Sequence, residues 1–329
     1  MARSVRIHAF GDASVLAIED VAVAAPAAGE IRLRVHAIGI NRTEATLRSG
    51  RYPVGPALPT GLGFEAAGII DAVGPGVSGL KAGDRVSLVP AYGAAQYALY
   101  GELAIAPARS AVLVPEGTGF IEAAATWAAF GTASGGLVTT GGLVAGQTVL
   151  IPAASSSVGL AAIQVANRLG ARPIALTRTS TKRKALLAQG AAAVIATGEE
   201  DVITAVQQLT GGRGADLVFD PVGGAMLPTL MKSTAPGGRL VLYGALSAEP
   251  TVLQPFDLFG RDLTLRGFAL TALTRNDARL AELKQFVGSG LADGSLHPVI
   301  AQTLPFDRIA DAHRLMEAGS QVGKIVVTV

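Results

Sequence analysis

Thr148-Val149-Leu150-Ile151 runs into Pro152-Ala153-Ala154-Ser155-Ser156-Ser157-Val158-Gly159. Four apolar residues end in a turn of small ones, and from Leu160 the pattern is that of a helix reaching Gly170. A strand turning tightly into a helix over small residues offers a pyrophosphate backbone N–H groups and the positive end of the helix dipole. The turn departs from Gly-x-Gly-x-x-Gly, because Ser156 stands at the middle glycine position and only the last, Gly159, is kept. Serine is small and its hydroxyl can donate to phosphate oxygens, but the same residues also read as a plain serine N-cap. The surroundings weigh toward the phosphate turn. Apolar strands at 148–151, 173–177, 193–195, 217–219 and 239–243 alternate with helices at 158–169, 182–189, 202–209 and 226–233. Gly170 and Gly190 stand where helix C-terminal caps belong. The alternation predicts a parallel, doubly wound sheet of the α/β class. Within it, Ser155, Ser156, Ser157 and Val158 form the expected dinucleotide turn.

The second strand selects the cofactor. A free ribose 2′-hydroxyl is usually held by Asp or Glu ~20 residues past the glycines. Here Thr177 is followed instead by Arg178-Thr179-Ser180-Thr181-Lys182-Arg183-Lys184. Cations at a helix start are unfavourable unless an anion is present. Guanidinium and ammonium donors suit a 2′-phosphate. The expected cofactor is therefore NADP(H), with Arg178, Ser180 and Lys182 as phosphate contacts and Arg183 and Lys184 facing water.

Upstream, the first ~120 residues read as β-structure by alternation. In the stretch 30–40, Ile31, Leu33, Val35 and Ala37 share one face while Arg32, Arg34 and His36 share the other. Further strands at 68–73 and 84–89, punctuated by Gly and Pro, suggest a small barrel or sandwich. Residues 121–138 are Ala-rich and read as one helix; 276–287 reads as another, and 324–329 as a last strand able to return to the first domain.

The composition narrows the function. Of 329 residues half are apolar, and 27 Lys plus Arg against 25 Asp plus Glu leave a net charge of +2. That balance argues against a nucleic-acid surface. With no cysteine, disulfides, thiolate zinc sites, iron–sulfur clusters and a cysteine nucleophile are excluded. His8, His36, His297 and His313 show no metal-ligand spacing. The start lacks an apolar signal core, and no apolar run reaches the ~18 residues of a membrane span, so a cytoplasmic protein is expected.

Several segments carry a family resemblance: Ala37-Ile38-Gly39-Ile40-Asn41-Arg42, Leu47-Arg48-Ser49-Gly50-Arg51-Tyr52-Pro53, Gly61-Leu62-Gly63-Phe64-Glu65-Ala66-Ala67-Gly68, Lys81-Ala82-Gly83-Asp84-Arg85-Val86, the serine turn, and Val218-Phe219-Asp220-Pro221-Val222-Gly223-Gly224. With them the chain resembles, nearly end to end, the medium-chain dehydrogenase/reductase superfamily and its zinc-free, zeta-crystallin-like quinone oxidoreductase branch. The resemblance implies a GroES-like β-barrel domain at 1–122, rejoined by 266–329, and a Rossmann domain at 123–265, with the cofactor in the cleft. It also implies a homodimer or homotetramer. Zinc alcohol dehydrogenases carry Gly-His-Glu where this chain reads Gly63-Phe64-Glu65. No metal is therefore expected, and Glu65 is read as structural.

Without a Lewis acid, conjugated acceptors are favoured. Hydride added to a quinone or an α,β-unsaturated carbonyl spreads charge into an aromatic or enolate oxygen, which hydrogen-bond donors can stabilise. The resemblance sets Asn41, a candidate hydrogen-bond donor, beside the nicotinamide and the substrate; its position before a short helix suits an N-cap nearly as well, and the two roles can coexist. Tyr52 is a candidate proton relay or carbonyl donor, or else a loop aromatic over the core. Relatives can carry a further Tyr where this chain has Thr46, which weakens a quinone preference. Thr132, Gly244, Leu246 and Phe268 are expected near the cofactor. Lys324 is a further cofactor candidate or a plain salt-bridge residue, and Arg42 and Arg48 receive no role. The function expected is NADPH-dependent, zinc-free reduction of quinones or enones. The alternatives are a zinc-type alcohol dehydrogenase relative acting on simple carbonyls, or a non-catalytic NADPH-binding protein.

Overall fold

The computed structural model describes residues 1–53, 55–93 and 95–329, which divide into two compact units. The first comprises Met1–Ala128, Thr274–Leu280 and Pro298–Val329; the second comprises Ala129–Leu273 and Ala281–His297.

The spine of the first unit is the strand Glu30–Gly39, whose burial alternates as its sequence does: Ile31, Leu33, Val35 and Ala37 are inside, and Arg34 is exposed. Arg32 and Arg34 meet Asp71 of the neighbouring strand at 2.6 and 3.4 Å. Ala66–Val73, Leu103–Pro107 and the C-terminal Lys324–Thr328 all pair antiparallel with this spine. Arg85–Leu88 extends the sheet beyond Ala66–Val73. A separate three-stranded sheet centres on Ala2–Ile7. The apolar faces enclose one core that includes Ile7, Leu33, Ile38, Leu47 and Ile70.

The second unit holds six parallel strands in the order Ala193–Ala196, Arg172–Thr177, Thr148–Ile151, Ala215–Asp220, Thr234–Leu242, Thr264–Gly267. The chain begins in the middle, fills one side, then crosses to the other. The order reverses between Thr148–Ile151 and Ala215–Asp220, and doubly wound sheets bind ligands just beyond the carboxyl ends of the strands at that point.

Three expectations are corrected. The single helix at 121–138 is three pieces, Phe120–Ala124, Trp127–Ser134 and a π-turn at Gly135–Thr140. The wider winding falls where aromatic rings press on the backbone: a Cβ on Gly135 would lie 2.7 Å from Phe268 Cζ, and one on Gly136 would strike the Phe219 ring. The first boundary lies after Ala128, not 122. Trp127 Nε1 donates to Ser87 Oγ at 2.7 Å and the Ala128 N–H donates to Glu65 at 2.7 Å, binding this stretch to the first unit. The return at 266–329 is also divided, because 281–297 stays with the parallel sheet. There Arg168 of the helix Ser157–Arg168 pairs with Asp293 at 2.6 Å, and Gln164 exchanges two hydrogen bonds with the His297 backbone. Among the described residues no helix is long and apolar enough to cross a membrane.

Candidate functional site

In the second unit the serine turn serves two purposes at once. Ser156 caps the helix Ser157–Arg168, its Oγ accepting from the Gly159 N–H at 3.1 Å. The N–H groups of Ser157 and Val158 open that helix, so helix geometry provides them no acceptor. Ala153 takes the left-handed region at φ 50°. The turn then lies so close to the helix that a Cβ on Gly159 would stand 2.6 Å from Ala154 Cα. Glycine at this position permits the close helix–strand packing of a dinucleotide turn.

Lys182, beyond the strand Arg172–Thr177, reaches the same turn and donates to Ser155 Oγ at 3.1 Å. Burial, reinforced by the charge of Arg178, pushes its ammonium below the usual lysine range. The Arg178 side chain is exposed, while its carbonyl is fixed by the Gly198 N–H at 2.9 Å. Ser180 donates its N–H to Glu199 at 2.9 Å, and its hydroxyl meets the same carboxylate. Glu199 was not visible as a neighbour in the sequence; it arrives from the end of the next strand, and no local pattern marks it. Arg183, expected to face water, is tied to the Val194 carbonyl at 2.9 Å and paired with Glu200. Lys184 is exposed.

Beyond the neighbouring strands, two loops pack on each other. Leu246 N–H donates to the Pro221 carbonyl and Ser247 N–H to the Val222 carbonyl, both at 3.0 Å. Gly244 permits this approach, since a Cβ there would lie 2.7 Å from the Pro221 oxygen. The buried Asp220 carboxylate accepts from the Val222 and Gly223 N–H groups at 2.8 and 3.1 Å, and burial raises its pKa in spite of those bonds. The Leu246 side chain is exposed, and Thr132 and Phe268 are half-buried.

The first unit gathers a different set. Asn41 precedes the helix Arg42–Arg48 but does not cap it. Its Nδ2 donates to the Gly39 carbonyl at 3.1 Å and to Glu44 Oε1 at 3.3 Å, and its Oδ1 accepts from Lys324 Nζ at 2.5 Å. Asn41 thus has both amide hydrogens occupied, which bears on its expected role as a donor. Lys324 also pairs with Glu65 in the interior. Of its two readings, cofactor contact and salt bridge, the ion pair with Glu65 is the one seen in the first unit. Tyr52 is half-buried, its ring against the core. Arg48, given no role, is buried and meets Glu317 at 2.5 Å, and Tyr100 meets His313 at 3.2 Å. Glu44 was missed altogether. Its burial, opposed by Lys324, raises its pKa to about 8. Among the described residues no group of three His, Asp or Glu side chains is placed to hold a metal ion.

Comparison with known proteins covers the whole chain. Residues 27–152 match the alcohol dehydrogenase GroES-like domain, and residues 157–287 match the zinc-binding dehydrogenase family. Quinone oxidoreductase 1 of Escherichia coli (strain K12) is 32% identical over 331 residues, covering 98% of each protein. The crystal structure of Escherichia coli quinone oxidoreductase complexed with NADPH superposes with a TM-score of 0.91 over 100% of both chains, at 31% identity. A crystal structure described as an NAD-dependent alcohol dehydrogenase gives a TM-score of 0.92 at 32% identity, over 99% of both chains.

Proposed function

The chain belongs to the medium-chain dehydrogenase/reductase superfamily, in its quinone oxidoreductase branch, and from that membership we propose an NADPH-dependent, zinc-independent reductase that hands hydride to quinones or α,β-unsaturated carbonyl compounds. The observation that carries the cofactor choice is Lys182 bonded to Ser155 of the serine turn, with Arg178 close enough to depress its proton affinity. Two cations beside a helix N-terminus suit a ribose 2′-phosphate. Glu199, the acid at this corner, is engaged with the Ser180 N–H. On this reading the dinucleotide lies over the turn that Gly159 lets pack close against its helix, with the N–H groups of Ser157 and Val158 as donors to its pyrophosphate. When bound, the reduced nicotinamide supplies the hydride.

On this reading Gly244 brings backbone close to the cofactor, and Thr132, Leu246 and Phe268 flank its nicotinamide end. Tyr52 donates to the acceptor oxygen, and Asn41 is a polar contact. Zinc independence is supported by Phe64, which replaces the ligand histidine of zinc alcohol dehydrogenases, by the lack of any cysteine, and by Glu65, which is committed to Lys324. A delocalised enolate or hydroquinone oxygen is within the capacity of such hydrogen-bond donors. We also infer a homodimer or homotetramer. Phe256 and Phe259 are 81% and 65% exposed on the short helix Pro255–Phe259, just before the edge strand Thr264–Gly267.

The test is turnover by the purified protein. NADPH should be oxidised with a quinone or an enone, unchanged by a chelator, and NADH should serve worse. Activity confined to simple aldehydes, activity lost to the chelator, or equal use of NADH would each overturn the corresponding part.

A further inference from the structure

Asn41 lies among charges enclosed by the first unit: Glu44, Glu65 and Lys324 are 3, 1 and 2% exposed. Lys324 pairs with Glu65 and donates to Asn41 Oδ1. Glu65 Oε2 accepts from the Ala128 N–H at 2.7 Å. Among the described residues no cation bonds Glu44; its Oε1 accepts from Asn41, and its Oε2 is buried without a partner. Two carboxyls therefore face one ammonium. An uncompensated buried charge is costly enough that the group takes up a proton instead. Glu65 has the direct ion pair, so the proton belongs to Glu44.

We propose that Glu44 is the positioning residue for Asn41 and works as a neutral carboxylic acid, which holds the Asn41 amide with Oδ1 on Lys324 and both Nδ2 hydrogens turned inward. The amide then presents to whatever binds beside it a single acceptor lone pair and no donor. Its ligand partner is accordingly a hydroxyl or a carboxamide N–H, not a carbonyl oxygen. This last step rests on the reductase reading above; the proton on Glu44 does not.

The surroundings agree. Lys324 faces Glu44 from the C-terminal strand, Glu65 from the segment before Ala66–Val73, and the Tyr92 and Tyr100 phenols sense its charge. Burial holds both phenols neutral far past the range in question. On its own helix, Arg48 is one turn away and paired with Glu317. Burial pushes Glu44 up to about 8, Glu65 adds to the rise, and Lys324, the Glu44 backbone N–H and Asn41 oppose it. Once ionised, Glu44 competes with Asn41 for the Lys324 ammonium, and the amide loses its fixed orientation.

Three measurements test this on the full chain. Infrared difference spectra between the wild type and Glu44→Gln at neutral pH should show a carboxylic-acid C=O band that fades as pH rises through about 8. In the pH profile of kcat, the wild type should fall on that alkaline limb, whereas Glu44→Gln, which keeps an acceptor for Asn41 and cannot ionise, should stay level. At neutral pH Glu44→Gln should keep kcat within about twofold, while Glu44→Leu, which gives Asn41 no acceptor, should lose about tenfold or more. A missing acid band, an alkaline limb that persists in Glu44→Gln, or equal losses in the two variants would overturn the proposal. The infrared arm needs no turnover. Absence of reductase activity with the acid band present would therefore count against the functional reading and not against the proton.

Discussion

Arg178 and Lys182 are two cations placed so that one lowers the proton affinity of the other, and an anion bound beside both would offset that repulsion. A hydrogen bond between charged groups is worth about 1.5–3 kcal/mol, and each 1.4 kcal/mol is about tenfold in affinity. Lys182→Ala should therefore raise the Kd for NADPH roughly 10- to 100-fold while changing that for NADH little, as read by fluorescence titration with both coenzymes. Equal weakening of the two would remove the 2′-phosphate from the argument. This corner was legible because a charge run at a helix start needs an explanation. Asn41 was less so. Asn41-Arg42-Thr43-Glu44 has the spacing of a capping box, yet the cap is absent because Lys324, which is 283 positions away, holds the oxygen that would form it. A local pattern carries no trace of so distant a competitor, and the same limit hid the partners of Arg48 and His313.

At the level of elements, the parallel sheet could be read because each of its central strands is a short apolar run between helical segments. The strand Thr148–Ile151 and the helix Val202–Leu209 fall on their expected bounds. The helix expected at 121–138 departs from regular winding at Gly135–Thr140, where rings from outside it press in: Phe219 and Phe268 belong to other strands and loops. The helix Pro255–Phe259 was not read at all. Its two rings lie 5.0 Å apart, centroid to centroid, and both face solvent. Each phenylalanine has ~150–250 Å² to bury, and the adjacent edge strand carries unpaired backbone groups that favour association. Sedimentation should show the wild type as a dimer or tetramer and Phe256→Glu/Phe259→Glu shifted toward the monomer. A monomeric wild type, or an unshifted variant, would remove this surface from the assembly.

Across the whole molecule, two buried groups of the first unit oppose each other in their response to pH. His313 is enclosed beside Tyr100; burial, aided by the charge of Arg48, lowers its pKa from 6.5 to about 3. The unfolded chain takes up that proton below pH 6.5, whereas the folded chain does so only near 3. Its contribution is complete above 6.5 and is lost as pH falls through that window. Glu44 has the reverse sign, with a folded pKa of about 8 against 4.5 for the ordinary group. Its contribution is complete below 4.5 and is lost as pH rises toward 8. Asp220 in the second unit is raised by burial and leans the same way as Glu44. Exposed carboxylates such as Asp293, held to about 2 by its bonds with Ser295 and Arg168, act only on the acid side. Between 4.5 and 6.5 the slopes of His313 and Glu44 cancel. Thermal melts taken from pH 3 to 9 should therefore rise, level off near pH 5–6, and decline toward 8. His313→Gln should flatten the acid rise, and Glu44→Gln should take away the alkaline decline. A wild type whose Tm holds constant from pH 6 to 8, or a decline untouched by Glu44→Gln, would mean that the folded chain does not keep the Glu44 proton.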